Sequence, residues 1–349
     1  TSNSTAEEPV PYKEEEVKFP NGPLTLAGTL TLPPVPGKHP AVVMITGSGP
    51  QNRDEEIFGF KPFKLIADAL TRRGIAVLRY DDRGVGGSSG NPAEATTEDF
   101  AKDALSAVQY LQNRVDIDSK QIGLCGHSEG AIAAPIAADR SHDIAFLVLL
   151  AGPGVPGDTL ILWQLVTLAR AGGMNENELG EAVALQHQIY DAVRSGQGWE
   201  EIHASMSAQI GRSMSTMSPE QREAMGDSAR FVASTTDAKL RSARSPWFTF
   251  FISYDPAPTL RRIQCPVLAL FGELDMQAPP RLVMQPLETA LRGGGNKDVT
   301  VQVLPGANHL FQAAATGYPS EYSTLKKEFV PGFLDTVTAW VAGHVSTRR

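Results

Sequence analysis

Cysteine is nearly absent from this chain: Cys125 and Cys265 are the only two among 349 residues. Each falls in an apolar, strand-like segment, so both read as buried free thiols. There is no CxxC and no cluster of Cys and His at metal-ligand spacing, so no zinc site, other metal or cofactor is expected. Positive charge is also in deficit. Thirty-one Lys and Arg face 39 Asp and Glu, for a net charge of −8 and a pI near 5.4. Phosphate binding needs a basic field, so nucleic acid is excluded as a partner. No apolar run reaches the about 18 residues that a membrane-spanning helix needs, and no internal repeat is visible. What remains is a chain with 42% hydrophobic residues, enough to bury one large core or two modest ones.

Residues 1–16, TSNSTAEEPVPYKEEE, are polar, charged and non-periodic, and read as a disordered tail. With so few cysteines, this leader leans towards an exported enzyme, periplasmic or secreted, over a cytoplasmic one. From Val17 the pattern changes. Asn21-Gly22 between VKF and LTLAGTLTLP predicts an antiparallel hairpin. AVVMIT, IAVLRY, QIGLCG and IAFLVLLAG are short apolar runs of the kind found in buried parallel strands. Helical patterns alternate with them over 61–73, over TTEDFAKDALSAVQYLQNR with a Thr N-cap, and over AIAAPIAA. The alternation predicts an α/β fold with a mostly parallel central sheet and helices on both faces. It breaks over about 156–258, where the text is helical and carries four methionines within twenty residues (Met206, Met214, Met217, Met225) and three of the four tryptophans. It resumes at CPVLALFGELD, a helix over 280–292, DVTVQVLPG and a last helix near 324–344. The expected organisation is a core over 17–155 and 259–349, with a helical cap, or lid, at 156–258 inserted after strand six.

LCGHSEG (124–130) places Ser128 between two glycines, with an apolar strand before it and a small-residue helix after it. A serine hydroxyl is a weak nucleophile until a base takes its proton. The Gly-x-Ser-x-Gly turn exposes it at the carboxyl edge of a sheet, where ligands bind. An acid and a histidine should follow at the ends of later strands, in that order. Asp275 ends VLALFGELD, with Glu273 as its rival two residues earlier. His309 alone among the seven histidines follows a late apolar strand. His127, beside the serine, points away from its hydroxyl and reads as structural. Acyl transfer also needs backbone N–H donors for the oxyanion. Glu129 supplies one, and the TGSGPQNRDE loop after AVVMIT supplies the other, from Ser48 first and Gly49 second. Arg53, Asp54, Asp81, Asp82 and Arg83 read as loop-bracing ion pairs.

On these residues the chain resembles the α/β-hydrolase superfamily, over about residues 17–344. More narrowly, GSGPQNRDE, GHSEGA, PWFTFFISYDP and CPVLALFGELDMQAPP are similar to bacterial serine carboxylesterases with a GSGPQ-x-RD loop, a GHSEG elbow and a cap after strand six. RYDDRGVGGSSG resembles the loop after the fourth strand in such enzymes. The resemblance implies a catalytic Ser128, Asp275 and His309, and hydrolysis of short- to medium-chain carboxylic esters through an acyl-enzyme. A serine at the elbow sets the chain apart from relatives of the same fold with an aspartate or cysteine nucleophile. A small-molecule ester is the expected partner. A peptidase or amidase, or an acyltransferase, would use the same three residues. A non-catalytic binding protein would need one of them to be missing, and none is. The methionines and PWFTFF of the cap are candidates for lining the acyl pocket, or for core filling.

Overall fold

The computed structural model describes residues 10–345 except 216. It divides into two compact units, one of residues 1–155 and 256–349 and the other of Pro156–Asp255. In the first unit β1 (Lys13–Asn21) and β2 (Leu24–Leu32) form the hairpin turned at Gly22, where φ is +56°. They pair in antiparallel register, Val17 opposite Gly28. Then follow β3 (His39–Ile45), α1 (Pro62–Thr71), β4 (Ala76–Tyr80), α2 (Thr97–Gln112), β5 (Ile117–His127), α3 (Gly130–Arg140) and β6 (Ile144–Leu150). Thr96 caps α2 through a reciprocal capping box with Asp99, which satisfies two otherwise orphaned N–H groups.

The second unit is all helical: α4 (Gly157–Ala171), α5 (Glu176–Ser195), α6 (Trp199–Ser215), α7 (Pro219–Met225), α8 (Ser228–Ala243) and α9 (Pro246–Ser253). Asn175, Ser218, Asp227 and Ser245 each accept a backbone N–H at a helix start. Its core is small, built around Ile189, Ile202, Met206 and Leu240, with Trp199 and Phe248 packed against it. Met206 is therefore core filling in this unit. The chain returns to the first unit through α10 (Ala257–Leu260), β7 (Val267–Gly272), α11 (Pro280–Gly293), β8 (Val299–Leu304) and α12 (Phe333–His344).

The eight strands form one sheet in the order β1-β2-β4-β3-β5-β6-β7-β8. β2 runs antiparallel to β4, and every pairing from β4 to β8 is parallel. β4 and β5 flank β3, so the chain changes winding direction there, the place where open α/β sheets bind ligands. The central strands are shielded on both sides, with Val42, Val77, Leu124, Val148 and Leu268 all at 0% exposure.

Four sequence expectations need adjustment. Residues 1–9 of the expected tail lie outside the described residues, and the stretch 13–16 is strand; Glu15 and Glu16 are held there by Arg114 and Arg53. The last helix begins at Phe333 rather than near 324, because Pro331-Gly332 interrupts the chain and Gly332 takes φ +87°. The helical unit ends at Asp255, since the turn at Ala257–Leu260 groups with the first unit. Of the two free cysteines, Cys125 is buried but Cys265 is only half-buried.

Candidate active site

Ser128 stands between the end of β5 and the start of α3 with φ +53°. A non-glycine residue rarely adopts this conformation, which costs about 1–3 kcal/mol and persists only where its surroundings enforce it. The enforcement is visible. A Cβ on Gly126 would lie 2.1 Å from the Gly130 carbonyl oxygen, and one on Gly130 would lie 2.1 Å from that of Ile45. Only glycine fits at either position, and the turn is thereby pressed against the end of β3. The amide of Ser128 donates to Leu150 at 2.8 Å, and the serine itself is half-buried.

The loop that leaves β3 lies against this turn. A Cβ on Gly47 would come within 3.3 Å of the Ser128 Cβ. Ser48 and Gly49 follow, both exposed, with Gly49 at φ +91°. Glu129 stands directly before α3 as its cap residue, with its side chain turned inward: it is 2% exposed, and its Oε1 accepts the Thr97 hydroxyl at 2.6 Å.

Asp275, in the turn after β7, and His309, after β8, meet. His309 Nδ1 donates to Asp275 Oδ2 at 2.8 Å, with Asp275 1% and His309 4% exposed. The other carboxylate oxygen accepts the amides of Gln277 (2.7 Å) and Ala278 (2.8 Å). Burial alone would push this carboxyl upward. The His309 charge and hydrogen bond and the two amides outweigh it, and its pKa lies below the ordinary value. The bond to Asp275 occupies Nδ1 and leaves Nε2 for another partner. Glu273, the rival acid, is used elsewhere: its Oε2 accepts the Gly306 amide at 2.8 Å.

His127 is 5% exposed and bridges the two groups of residues. Its Nδ1 lies 2.8 Å from Glu55 Oε1 and its Nε2 3.0 Å from the His309 carbonyl oxygen, and its ring is 4.7 Å from that of His309. Glu55 also accepts the Gly47 amide at 2.7 Å. Burial pushes the His127 pKa down, but the Glu55 charge and hydrogen bond, with the His309 carbonyl and Asp275, lift it above the ordinary value. Glu55 is the residue that sequence reasoning missed. It is the last letter of the TGSGPQNRDE loop, at φ +50° and 2% exposure, and nothing periodic marks it.

Four of the five residues read as bracing ion pairs do form them. Arg53 holds Asp81 at 2.8 Å, Arg83 holds Asp103 at 2.6 Å, and Arg79 binds Asp54. Asp82 does not: 7% exposed, it accepts the Thr46 hydroxyl at 2.7 Å and the Gln51 amide at 2.9 Å. Burial lifts its carboxyl to about 8, against the pull of those two bonds. Among the described residues no group of three or more His, Cys, Asp or Glu could hold a metal ion, and no helix is long and apolar enough to cross a membrane.

Comparison with known proteins agrees with this geometry at the level of fold and family. The chain is 27% identical over 338 residues to Esterase EstD of Thermotoga maritima, covering 96% of this chain and 68% of that protein. An uncharacterised 31.7 kDa protein of Escherichia coli is 23% identical over 73% of this chain and 79% of its own length. Among solved structures, an esterase of Pyrococcus furiosus superposes with a TM-score of 0.57 at 13% identity, over 96% of this chain and 92% of that one. A proline iminopeptidase-related protein of Thermus thermophilus superposes with a TM-score of 0.56 at 20% identity, over 95% and 99%. These two likenesses speak to the fold. Residues 42–318 match the Alpha/beta hydrolase family, and by that match, which covers most of its length, the chain belongs to the α/β-hydrolase family.

Proposed function

We propose that the chain is a serine carboxylesterase acting on short- to medium-chain esters through an acyl-enzyme. His309 takes the proton of Ser128 on Nε2 as the serine oxygen attacks the ester carbonyl. Asp275 fixes the ring with Nδ1–H inward and stabilises the imidazolium. The backbone amides of Glu129 and of Ser48, or Gly49, hold the oxyanion; losing one such donor typically costs about 2.7–4 kcal/mol. The tetrahedral intermediate then collapses, the alcohol leaves with the proton from His309, and water repeats the sequence to release the acid.

The observation that carries this reading is the buried 2.8 Å bond from His309 to Asp275, one side chain away from the turn that holds Ser128. Twenty-seven per cent identity to a protein named an esterase supports the same class of substrate. The helical unit Pro156–Asp255 is assigned the role of a cap that selects the acyl group. A peptidase reading would have Glu129 attract an amino terminus; its side chain is instead buried on Thr97, which favours esters.

The test is a panel of p-nitrophenyl esters and aminoacyl nitroanilides run on the wild type and Ser128→Ala. The expected result is preference for butyrate over long-chain esters and over anilides, with kcat lower by on the order of 10⁶-fold in the variant. Retained activity in Ser128→Ala would overturn the assignment. Faster turnover of long-chain triglycerides than of butyrate would overturn the acyl preference.

A further inference from the structure

Building on the ester-hydrolysis reading, we infer that Glu55 and His127 are positioning residues that lock the oxyanion loop, the nucleophile turn and the His309 loop into one register. Three loops from distant parts of the chain meet at this pair. Glu55 Oε1 receives the amide of Gly47, directly before Ser48, at 2.7 Å. The same oxygen lies 2.8 Å from His127 Nδ1, and His127 is the residue before Ser128. His127 Nε2 lies 3.0 Å from the main-chain oxygen of His309. The pair acts at one remove from the reaction: it bonds the backbone of Gly47, directly before Ser48, and of His309, and His127 directly precedes Ser128.

Proton bookkeeping makes the device conditional. A carbonyl oxygen only accepts, so Nε2 must carry a proton. Nδ1 and Oε1 lie 2.8 Å apart, too close for two lone pairs to face each other, so a second proton must lie between them. The pair therefore holds two protons, as imidazolium and carboxylate or as their neutral tautomer. Among the described residues Glu55 Oε2 is buried without a hydrogen-bond partner, so compensation of the carboxylate falls on Oε1. When one proton is lost, the one that remains stays on Nδ1 in the charge-assisted bond to Glu55, so the bare Nε2 lone pair faces the His309 carbonyl at 3.0 Å and pushes the His309 loop away.

Other groups face the pair. Asp275 favours the proton on His127, and Asp82 bears on Glu55 electrostatically. Cys125, which also feels Glu55, is a thiol whose pKa burial drives upward, so it stays neutral. The His309 ring, 4.7 Å away, shares the Asp275 charge. The raised His127 pKa gives the sign: the lock is closed at low pH and opens as pH rises through the folded-state value.

Glu55→Gln tests this in the full chain. A carboxamide oxygen can still take the Gly47 amide, but it provides no counter-charge for His127. Relative to wild type, kcat on p-nitrophenyl butyrate should fall roughly 10- to 100-fold with KM little changed, the scale of a small misplacement of catalytic groups. The alkaline limb of the kcat profile should move to lower pH by about one unit or more, and Glu55→Asp should restore the limb towards its wild-type position. A folded Glu55→Gln with wild-type kcat and limb overturns the inference. Labelling of Ser128 by a fluorophosphonate, read by intact mass, separates the two readings. No labelling in wild type overturns both, and equal labelling rates in wild type and Glu55→Gln overturn the positioning role alone. Should Glu55→Gln misfold, side-chain NMR of the wild type decides. An Nε2–H on the His127 ring together with a second proton on Nδ1 or on the Glu55 carboxyl at mildly alkaline pH supports the lock; a ring with a single N–H beside an ionised Glu55 overturns it.

Discussion

Two histidine–carboxylate pairs lie side by side in the α/β unit, Asp275–His309 and Glu55–His127, each bonded at 2.8 Å and each buried. The ring-to-carboxylate distance is the same in both, but Asp275 uses both of its oxygens whereas among the described residues Glu55 uses Oε1 alone, and their second ring nitrogens differ. In the first pair Nε2 is left by the Asp275 bond for the proposed proton transfer from Ser128. In the second it is used on a main-chain oxygen, so the ring cannot shuttle a proton without breaking a structural contact. An imidazole beside a carboxylate is therefore not a sufficient sign of a catalytic base, and what the far nitrogen meets decides its role. The pairs also fail at opposite ends of the pH scale. Asp275 lies below the ordinary carboxylate value, so its contribution is present above that value and is lost as pH falls through the folded pKa. His127 lies above the ordinary imidazole value, so its contribution is lost as pH rises.

The two pairs should separate furthest at Ser128, the proposed nucleophile, where Ser128→Ala removes the group on which His309 is proposed to act. Next in size is Asp275→Asn. The carboxamide can donate to Nδ1, which turns the tautomer so that Nε2–H faces the serine and no base is present. A drop of about 10⁴-fold in kcat is expected, measured on p-nitrophenyl butyrate, with Tm losing part of its dependence on acid pH. A drop no larger than that of Glu55→Gln would erase the distinction between the two pairs. Glu55→Gln comes third, acting on placement and on the alkaline limb.

The sequence made one pair legible and hid the other for a physical reason. Asp275 and His309 each follow a short apolar strand, and parallel strands deliver their carboxyl ends to one edge. Order along the chain was then enough to nominate both, with Glu273 as rival. Glu55 sits in a loop at a positive φ and contacts His127 across 72 residues. No periodicity marks such a position, and its neighbours Arg53 and Asp54 drew attention as ion-pair formers instead. The sheet read well because uninterrupted runs such as AVVMIT have one stable environment, a strand covered on both faces. The strand start at Lys13 read poorly, because KEEE resembles a solvated tail. Its partners, among them Arg114, Arg53, Arg79 and the Thr29 hydroxyl, hold the glutamates on an edge strand.

Asp82 sharpens the comparison with the smallest expected effect: it is a buried carboxylate with no histidine at all. Its oxygens are met by the Thr46 hydroxyl and the Gln51 amide, and burial, with the Glu55 and Glu129 charges nearby, lifts it to about 8. A carboxyl raised on folding binds its proton more tightly in the native state. Stability therefore falls as pH climbs from the ordinary carboxylate value to about 8, the reverse of Asp275. Asparagine reproduces the protonated form. Its oxygen can accept the Gln51 amide while its NH₂ donates to the Thr46 hydroxyl, and it has no charge to bury. Asp82→Asn should match wild-type Tm at acid pH and exceed it at alkaline pH by a few degrees, at roughly 2–4 °C per kcal/mol. Thermal melts across the pH range would show the two curves diverging upward. Parallel curves would mean that Asp82 is already compensated, and that a histidine is not what separates a low buried carboxylate from a high one.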